Sequence, residues 1–381
     1  MLLQSLDAFL SYAGLVALAT TSVYAGSLGS YKAPSKSTRS IHSDDDEDDE
    51  EEIAERLSSS EAVLFPVVGS VILGGFYLAF KYLGEDWINK LLGYYFSFMG
   101  VGCVWLCLTS VTKHVIGPAR YKSTPRFRIK LTKGMSSANP AFPLLIIPGK
   151  PLVTFRLPTL LLFPFAAVPS ISFFMSEPKS ALMTDILSLS FSHAALSTMK
   201  LDSLQTGCIL LGGLFFYDVW WVFGTTVMVT VATTLTIPIK LLWPRSILTW
   251  LSIIPATQST SNTMLLGLGD VVIPGTLVAL AHRLDMHLRR KSRMHTQGPG
   301  AYLWATLIGY AVGLSMAFAA MHVFRAAQPA LLYLSPSCCL SFIYTALQRR
   351  EWEYVWNWED GAEEERERKE QEKKEKEGNV F

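Results

Sequence analysis

The chain has 381 residues, half of them apolar, with 33 Lys and Arg against 32 Asp and Glu. That near-neutral balance, without a compact basic domain, gives no electrostatic footing for a nucleic-acid partner. Apolar runs recur along the whole length with the charge compressed between them, which excludes an ordinary soluble domain, because a helix needs about 20 apolar residues to cross a hydrocarbon core about 30 Å thick.

The fold class is therefore an all-α polytopic membrane protein. Nine spans are predicted, at 7–28, 61–83, 91–112, 157–175, 180–199, 207–232, 263–282, 301–324 and 328–347. The chain divides into a first span (1–28), an acidic loop (29–60), a bundle of spans two to five (61–200), a second bundle of spans six to nine (201–348) and a charged tail (349–381). The first span opens "MLLQSLDAF", with Asp7 and no Lys or Arg, unlike a cleaved signal, which starts positive. Lys32, Lys36 and Arg39 follow it instead. The acids "DDDEDDEEE" at 44–52 repel one another and read as a solvated, disordered linker. The segment 113–156 is basic and Pro-rich; "RYKSTPRFRIKLTK" suits a cytosolic loop near anionic lipid. The tail "EEERERKEQEKKEKE" mixes both signs and suits a polar helix.

Spans four and five are the weakest, one broken by Pro164 and Pro169, the other carrying Asp185. Asp185 lies close to a span end and is expected to be an interfacial, partly hydrated carboxylate; a role in water or substrate access is the sharper alternative. With nine spans and the N-terminus outside, the cytosolic loops hold 20 Lys and Arg up to residue 350, Arg156 at the membrane edge left out. The opposite side holds Lys81, Lys90, Lys179, Lys240, Arg245 and Arg325. That asymmetry supports a lumenal N-terminus and a cytosolic C-terminus. Cys103, Cys107, Cys208, Cys338 and Cys339 all lie in spans, without zinc-ligand spacing, and read as small packing residues. Gly309 and Gly313 form a G-x-x-x-G, a mark of close helix packing.

Two acids stand out. Asp218 lies in the middle of span six, flanked by Tyr217, Val219, Trp220 and Trp221. Asp270 ends "LLGLGD" in span seven. No Lys or Arg occurs between Lys200 and Lys240. A carboxylate at bilayer depth costs about 3 kcal/mol on insertion scales. The economical arrangement is that the two acids face each other, one ionised and one protonated, because close carboxylates do not both ionise cheaply. Such a pair suits aspartic peptide hydrolysis without a metal, a cofactor or a covalent intermediate. As helix, the start of span seven puts Asp270 only about 10 Å deep. Extended, the same residues reach about 20 Å, close to the depth of Asp218. Gly267 and Gly269 make an extended stretch over 265–269 plausible and permit close backbone approach. Irregular backbone at that depth must line a cavity or be buried in protein. Span nine opens "QPALL"; Pro329 removes a donor and disfavours helix at Gln328, so a local break with free carbonyls is expected there.

Together, "YD" at 217–218, "GLGD" at 267–270 and "PAL" at 329–331 resemble the three motifs of intramembrane aspartyl proteases, the family of presenilins and signal peptide peptidases, which carry them in spans six, seven and nine. The segments 206–232 and 266–285 are similar to the signal peptide peptidase branch in particular, as is the N-out orientation. The resemblance implies a presenilin-like fold, with Asp218 and Asp270 as the catalytic pair. It implies that Tyr217, Gly267, Leu268, Gly269, Gln328, Pro329, Ala330 and Leu331 shape the site or support the substrate. It further implies transmembrane peptide substrates, chiefly remnant signal peptides and N-in, C-out proteins, in the endoplasmic-reticulum membrane. Membrane lipid, a degradation machinery and a homo-oligomer are the other partners considered. The ending "KEGNVF" departs from the lysine retrieval signal of many members.

Other chemistries lack their motifs. H-E-x-x-H and G-x-S-x-G are absent, and His193, His282 and His322 are scattered, as packed or interfacial residues would be. An ion-coupled transporter is the reading from a different class, since intramembrane acids also carry ions. A non-proteolytic scaffold for membrane-protein degradation is the third.

Overall fold

The computed structural model describes residues 2–31, 56–117, 120–121, 124, 126–129, 153–176, 180–244, 263–292 and 300–362. The acidic run 44–52, most of the basic loop and the tail beyond 362 lie outside the described residues. Eleven helices occur among the described residues: α1 (Leu2–Gly29), α2 (Ser59–Leu83), α3 (Glu85–Ile116), α4 (Leu157–Met175), α5 (Ala181–Thr198), α6 (Leu204–Gly224), α7 (Val227–Thr234), α8 (Leu268–Ser292), α9 (Ala301–Phe324), α10 (Leu331–Gln348) and α11 (Trp352–Trp356). Six short strands there pair as three ribbons: β1 (Arg56–Leu57) parallel to β4 (Lys200–Leu201), β2 (Arg126–Ile129) antiparallel to β3 (Val153–Arg156), and β5 (Lys240–Pro244) antiparallel to β6 (Thr263–Gly267).

Among the described residues, seven helices are long and apolar enough to cross a membrane: α1 to α4, α6, α9 and α10. The helices α5 and α8 are not among them. For α8 the reason is its charge, with Asp270, Arg283 and Asp285 in its apolar part and Arg289, Arg290 and Lys291 at its end, a composition its position makes tolerable. Nearly every residue from Val271 to Leu284 is buried, so its neighbours are other helices rather than lipid. Around it pack α1, α5, α6, α9 and α10. On α2 and α3 the balance is reversed: α2 buries Ala62 alone, while Val71 and Phe98 stand 70% and 79% exposed, as lipid-facing residues do.

The sixth predicted span, 207–232, is not one helix. Helix α6 stops at Gly224, Thr225 is extended, and α7 starts afresh at Val227. Glycine and two threonines meet at this break, and the Thr225 hydroxyl bonds back to the Trp221 carbonyl at 2.9 Å, an alternative to continuing the helical ladder. Residues 351–362, at the start of the predicted tail, fold back onto the ends of α6 and α8, while the charged run expected as a polar helix lies outside the described residues. Arg283 Nε donates to Asp360 Oδ2 at 2.7 Å, and Asp360 N–H donates to the Asp202 carbonyl at 2.7 Å.

The G-x-x-x-G of α9 lies against α10. A Cβ added at Gly309 would sit 2.8 Å from the Ser337 carbonyl, and one at Gly313 would sit 3.0 Å from the Tyr333 carbonyl. Gly309→Ala therefore pushes backbone from backbone, an overpacking cost of about 1–3 kcal/mol. The expected result is a lower thermal midpoint, read by scanning fluorimetry. Gly212→Ala, where a Cβ meets nothing within 4 Å, is the matched control and leaves the midpoint unchanged or slightly higher.

Candidate active site

Asp218 sits one and a half turns before the end of α6 and is 3% exposed. Its Oδ2 accepts a hydrogen bond from the backbone N–H of Leu331 at 2.9 Å. The sequence explains why that donor is available. The chain is non-helical from Arg325 to Pro329, and α10 begins at Leu331. The first N–H groups of a helix have no intrahelical acceptor, so the buried Asp218 takes one of them. At the end of the break the carbonyls are taken: Pro329 accepts from Leu332 at 3.3 Å, and Ala330 accepts from Tyr333 and Leu334, each at 3.1 Å. Those of Ala326, Ala327 and Gln328 accept no backbone bond among the described residues, as the local break predicted. Gln328 is half-buried, and Pro329 is buried beneath the break.

Asp270 occupies the first turn of α8, directly after strand β6, and is half-buried. Helix α8 packs against α6, and Asp270 lies near enough to Asp218 to feel its charge. Helix α10 packs against both α6 and α8 and closes the third side. A Cβ at Gly267 would lie beside the carboxylate, 3.4 Å from Asp270 Oδ2, whereas one at Gly269 would meet Ile273 Cδ1 as its nearest atom, at 3.9 Å.

The extended approach to Asp270 is present but shorter than expected. Strand β6 ends at Gly267, and Leu268 and Gly269 already belong to α8. Leu268 N–H still donates to the Ile239 carbonyl at 2.9 Å, closing the ladder of the β5–β6 ribbon. That ribbon is not legible in the sequence, where "KLLWP" carries no period-2 alternation to mark a strand. Its register pairs Lys240 with Gly267, Leu241 with Leu266, Leu242 with Leu265 and Trp243 with Met264.

Asp185 is half-buried, as a partly hydrated carboxylate is, and its Oδ1 accepts the N–H of Leu242 at 2.7 Å, so it also serves strand β5. Tyr217 turns to α2, where its ring packs beside Gly69. It lines an open groove of about 540 Å³ between α2 and α6, together with Pro66, Ser70, Trp220 and Trp221. Tyr310 on α9 carries no signal in the sequence. It is fully buried, its hydroxyl has no partner among the described residues, and it feels the charge of Asp270. The histidines are packed or peripheral: His282 is buried with Tyr31 edge-on at 5.9 Å, His193 is half-buried, and His322 is exposed.

Two acids thus stand on helices packed against each other, one held by a helix N-terminus and one at the end of a strand. Neither forms an ion pair with Lys or Arg among the described residues. One such acid can take a proton from water while the other gives one to a carbonyl oxygen.

Comparison with known proteins agrees with this chemistry. The family model described as signal peptide peptidase matches residues 49–362. Signal peptide peptidase of Homo sapiens is 32% identical over 356 residues, covering 92% of this chain and 84% of that protein. The Mus musculus signal peptide peptidase is 32% identical over 357 residues, covering 92% and 83%. A probable intramembrane protease of Schizosaccharomyces pombe is 33% identical over 304 residues, covering 80% and 84%. On that match, and with the two acids and the break before Leu331 in place, the chain belongs to the signal peptide peptidase family.

Proposed function

We propose that this multi-pass membrane protein is an intramembrane aspartic endopeptidase in which Asp218 and Asp270 are the catalytic pair. The observation that carries the reading is a pair of acids on packed helices inside the bundle, one of them tied to the N-terminus of α10 through Leu331. Asp218, which accepts the Leu331 N–H, is the carboxylate that takes a proton from water. The resulting hydroxide attacks the scissile carbonyl carbon while Asp270 donates its proton to the carbonyl oxygen. Collapse of the tetrahedral intermediate returns a proton to Asp270 and passes the other to the leaving amine, so the pair is restored. Gly267 leaves room beside Asp270 for the reacting groups.

The substrate is a transmembrane helix that unwinds locally. A helix satisfies its carbonyls internally, so a bond within it is shielded until it opens. The free edge of β6 receives the opened segment as an added strand, since backbone pairing tolerates varied side chains. The chief substrates in this reading are remnant signal peptides and N-in, C-out proteins of the endoplasmic-reticulum membrane. The chain crosses that membrane nine times, with a lumenal N-terminus and a cytosolic C-terminus. Delivery of products to a degradation machinery and self-association belong to the same reading.

The test is cleavage of a signal-peptide-derived transmembrane peptide by purified protein in lipid vesicles, with products identified by mass spectrometry. Cleavage is expected. A substrate with a Gly-Pro pair near the scissile bond should be cut about tenfold faster than an all-Leu version, since each such residue weakens helix by about 1–3 kcal/mol. Equal rates would overturn the unwinding step. Ion flux through the vesicles without hydrolysis would replace the protease with the transporter.

A further inference from the structure

A strand with two open edges pairs on either side. Among the described residues the β5–β6 ribbon has two strands, so each strand has one ladder edge and one outer edge. The fate of the β5 outer edge is decided by α5. Asp185 Oδ1 accepts the Leu242 N–H at 2.7 Å. Three residues on, one turn along the same helix, the buried Ser188 hydroxyl lies 2.9 Å from the Lys240 carbonyl and 3.0 Å from the Pro238 carbonyl. One acceptor and one donor, placed one helical turn apart, thus hold the Leu242 N–H and the carbonyls of Lys240 and Pro238 on the outer edge of β5.

Register then decides which groups of β6 face outward. In an antiparallel pair, directly opposed residues alternate between exchanging both hydrogen bonds and pointing both backbone groups outward. Leu242 and Lys240 point toward α5, so their partners Leu265 and Gly267 point outward on β6. The bond from Leu268 N–H to the Ile239 carbonyl fits the same phase. Among the described residues, Leu265 N–H and C=O and Gly267 N–H therefore form the open edge, which ends three residues before Asp270. Leu265 is 49% exposed.

We infer that Asp185 and Ser188 are positioning residues of the peptidase: by holding three backbone groups along the outer edge of β5 they lock the ribbon in register and leave β6 as its docking edge. The inference rests on the proteolytic reading above. Asp185 touches neither the acid pair nor the reacting bond. It acts through Leu242, then Leu265, on where a substrate strand lies relative to Asp270. A looser ribbon slides or rotates that edge, so the bond presented to the acids changes. The consequence is a lower kcat and a wider spread of cleaved bonds, with KM little altered, because the β6 edge itself persists.

The role Asp185 plays here is that of an acceptor, and an amide oxygen also accepts. Asp185→Asn should therefore keep the cleavage pattern and most of the wild-type kcat. Asp185→Ala should lose about tenfold or more in kcat and yield products cut at neighbouring bonds, in line with loss of a charge-assisted hydrogen bond. Ser188→Ala should broaden the products in the same way, through a different contact. The measurement is steady-state cleavage of one transmembrane peptide by each variant in vesicles, with every product mass assigned, and Asp270→Asn run alongside.

Wild-type kcat and an unchanged product set in Asp185→Ala overturn the inference, as does failure of Asp185→Asn to restore the pattern. If Asp185→Ala does not purify as a monodisperse protein, Ser188→Ala and Asp185→Asn decide it. An unchanged product set in Ser188→Ala overturns the inference, and a broadened one beside an intact Asp185→Asn supports it. Cleavage by Asp270→Asn is a separate result: it removes the proteolytic reading itself, whatever the Asp185 variants do.

Discussion

Asp218→Asn and Asp270→Asn, each purified as a folded, monodisperse protein, are expected to lose at least about a hundredfold in cleavage rate, and up to about 10⁴-fold. An amide is close to a carboxylate in size, so packing in α6 and at the start of α8 survives. In Asp218→Asn the amide oxygen can still accept the Leu331 N–H, which keeps α10 in place. What is lost is the ability to carry a proton. One member must accept from water and the other must donate to the carbonyl, so neither substitution can be covered by the remaining acid. The rate of the wild type should follow a bell-shaped pH curve, since one acid must be charged and the other neutral. The measurement is initial rate against pH for the wild type and single-turnover cleavage for each variant. Near-full activity in either folded variant would place the chemistry elsewhere.

Leu265→Pro is expected to lower kcat/KM about tenfold or more while leaving the ribbon folded. Proline deletes an N–H, and at Leu265 that N–H points to the open edge rather than into the ladder with β5. Edge strands tolerate proline at such positions. The lost backbone bond to a substrate strand and the ring standing in its path both act against docking, and about 1.4 kcal/mol corresponds to tenfold. Leu265→Ala separates the side-chain contribution and should cost no more than about threefold, because Leu265 already stands half exposed. Kinetics of the two variants, with thermal midpoints recorded in parallel, give the answer. If proline and alanine behave alike, a substrate does not add as a strand to β6.

The sequence by itself determined the helical membrane class and most span positions, because an apolar run of span length has one solution in a bilayer. The limits 157–175 and 301–324 coincide with α4 and α9. It also singled out Asp218 and Asp270, since an unpaired acid in an apolar run is expensive and must have a partner. Tertiary structure decided everything that depends on who the neighbours are. Helix α8 carries Asp270, Arg283 and Asp285 in its own residues, but that protein rather than lipid surrounds them is decided by the fold. The break at Thr225 and the short β6 depend on where Thr225 finds a carbonyl and where Ile239 meets Leu268. The Leu331 N–H becomes a ligand for Asp218 only once α10 is set against α6, 113 residues away in the chain. Asp185 shows the difference most plainly. Alone it reads as a wet carboxylate near a span end. Folded, it meets a backbone N–H on the outer edge of β5, because two strands of a ribbon cannot satisfy their own outer edges.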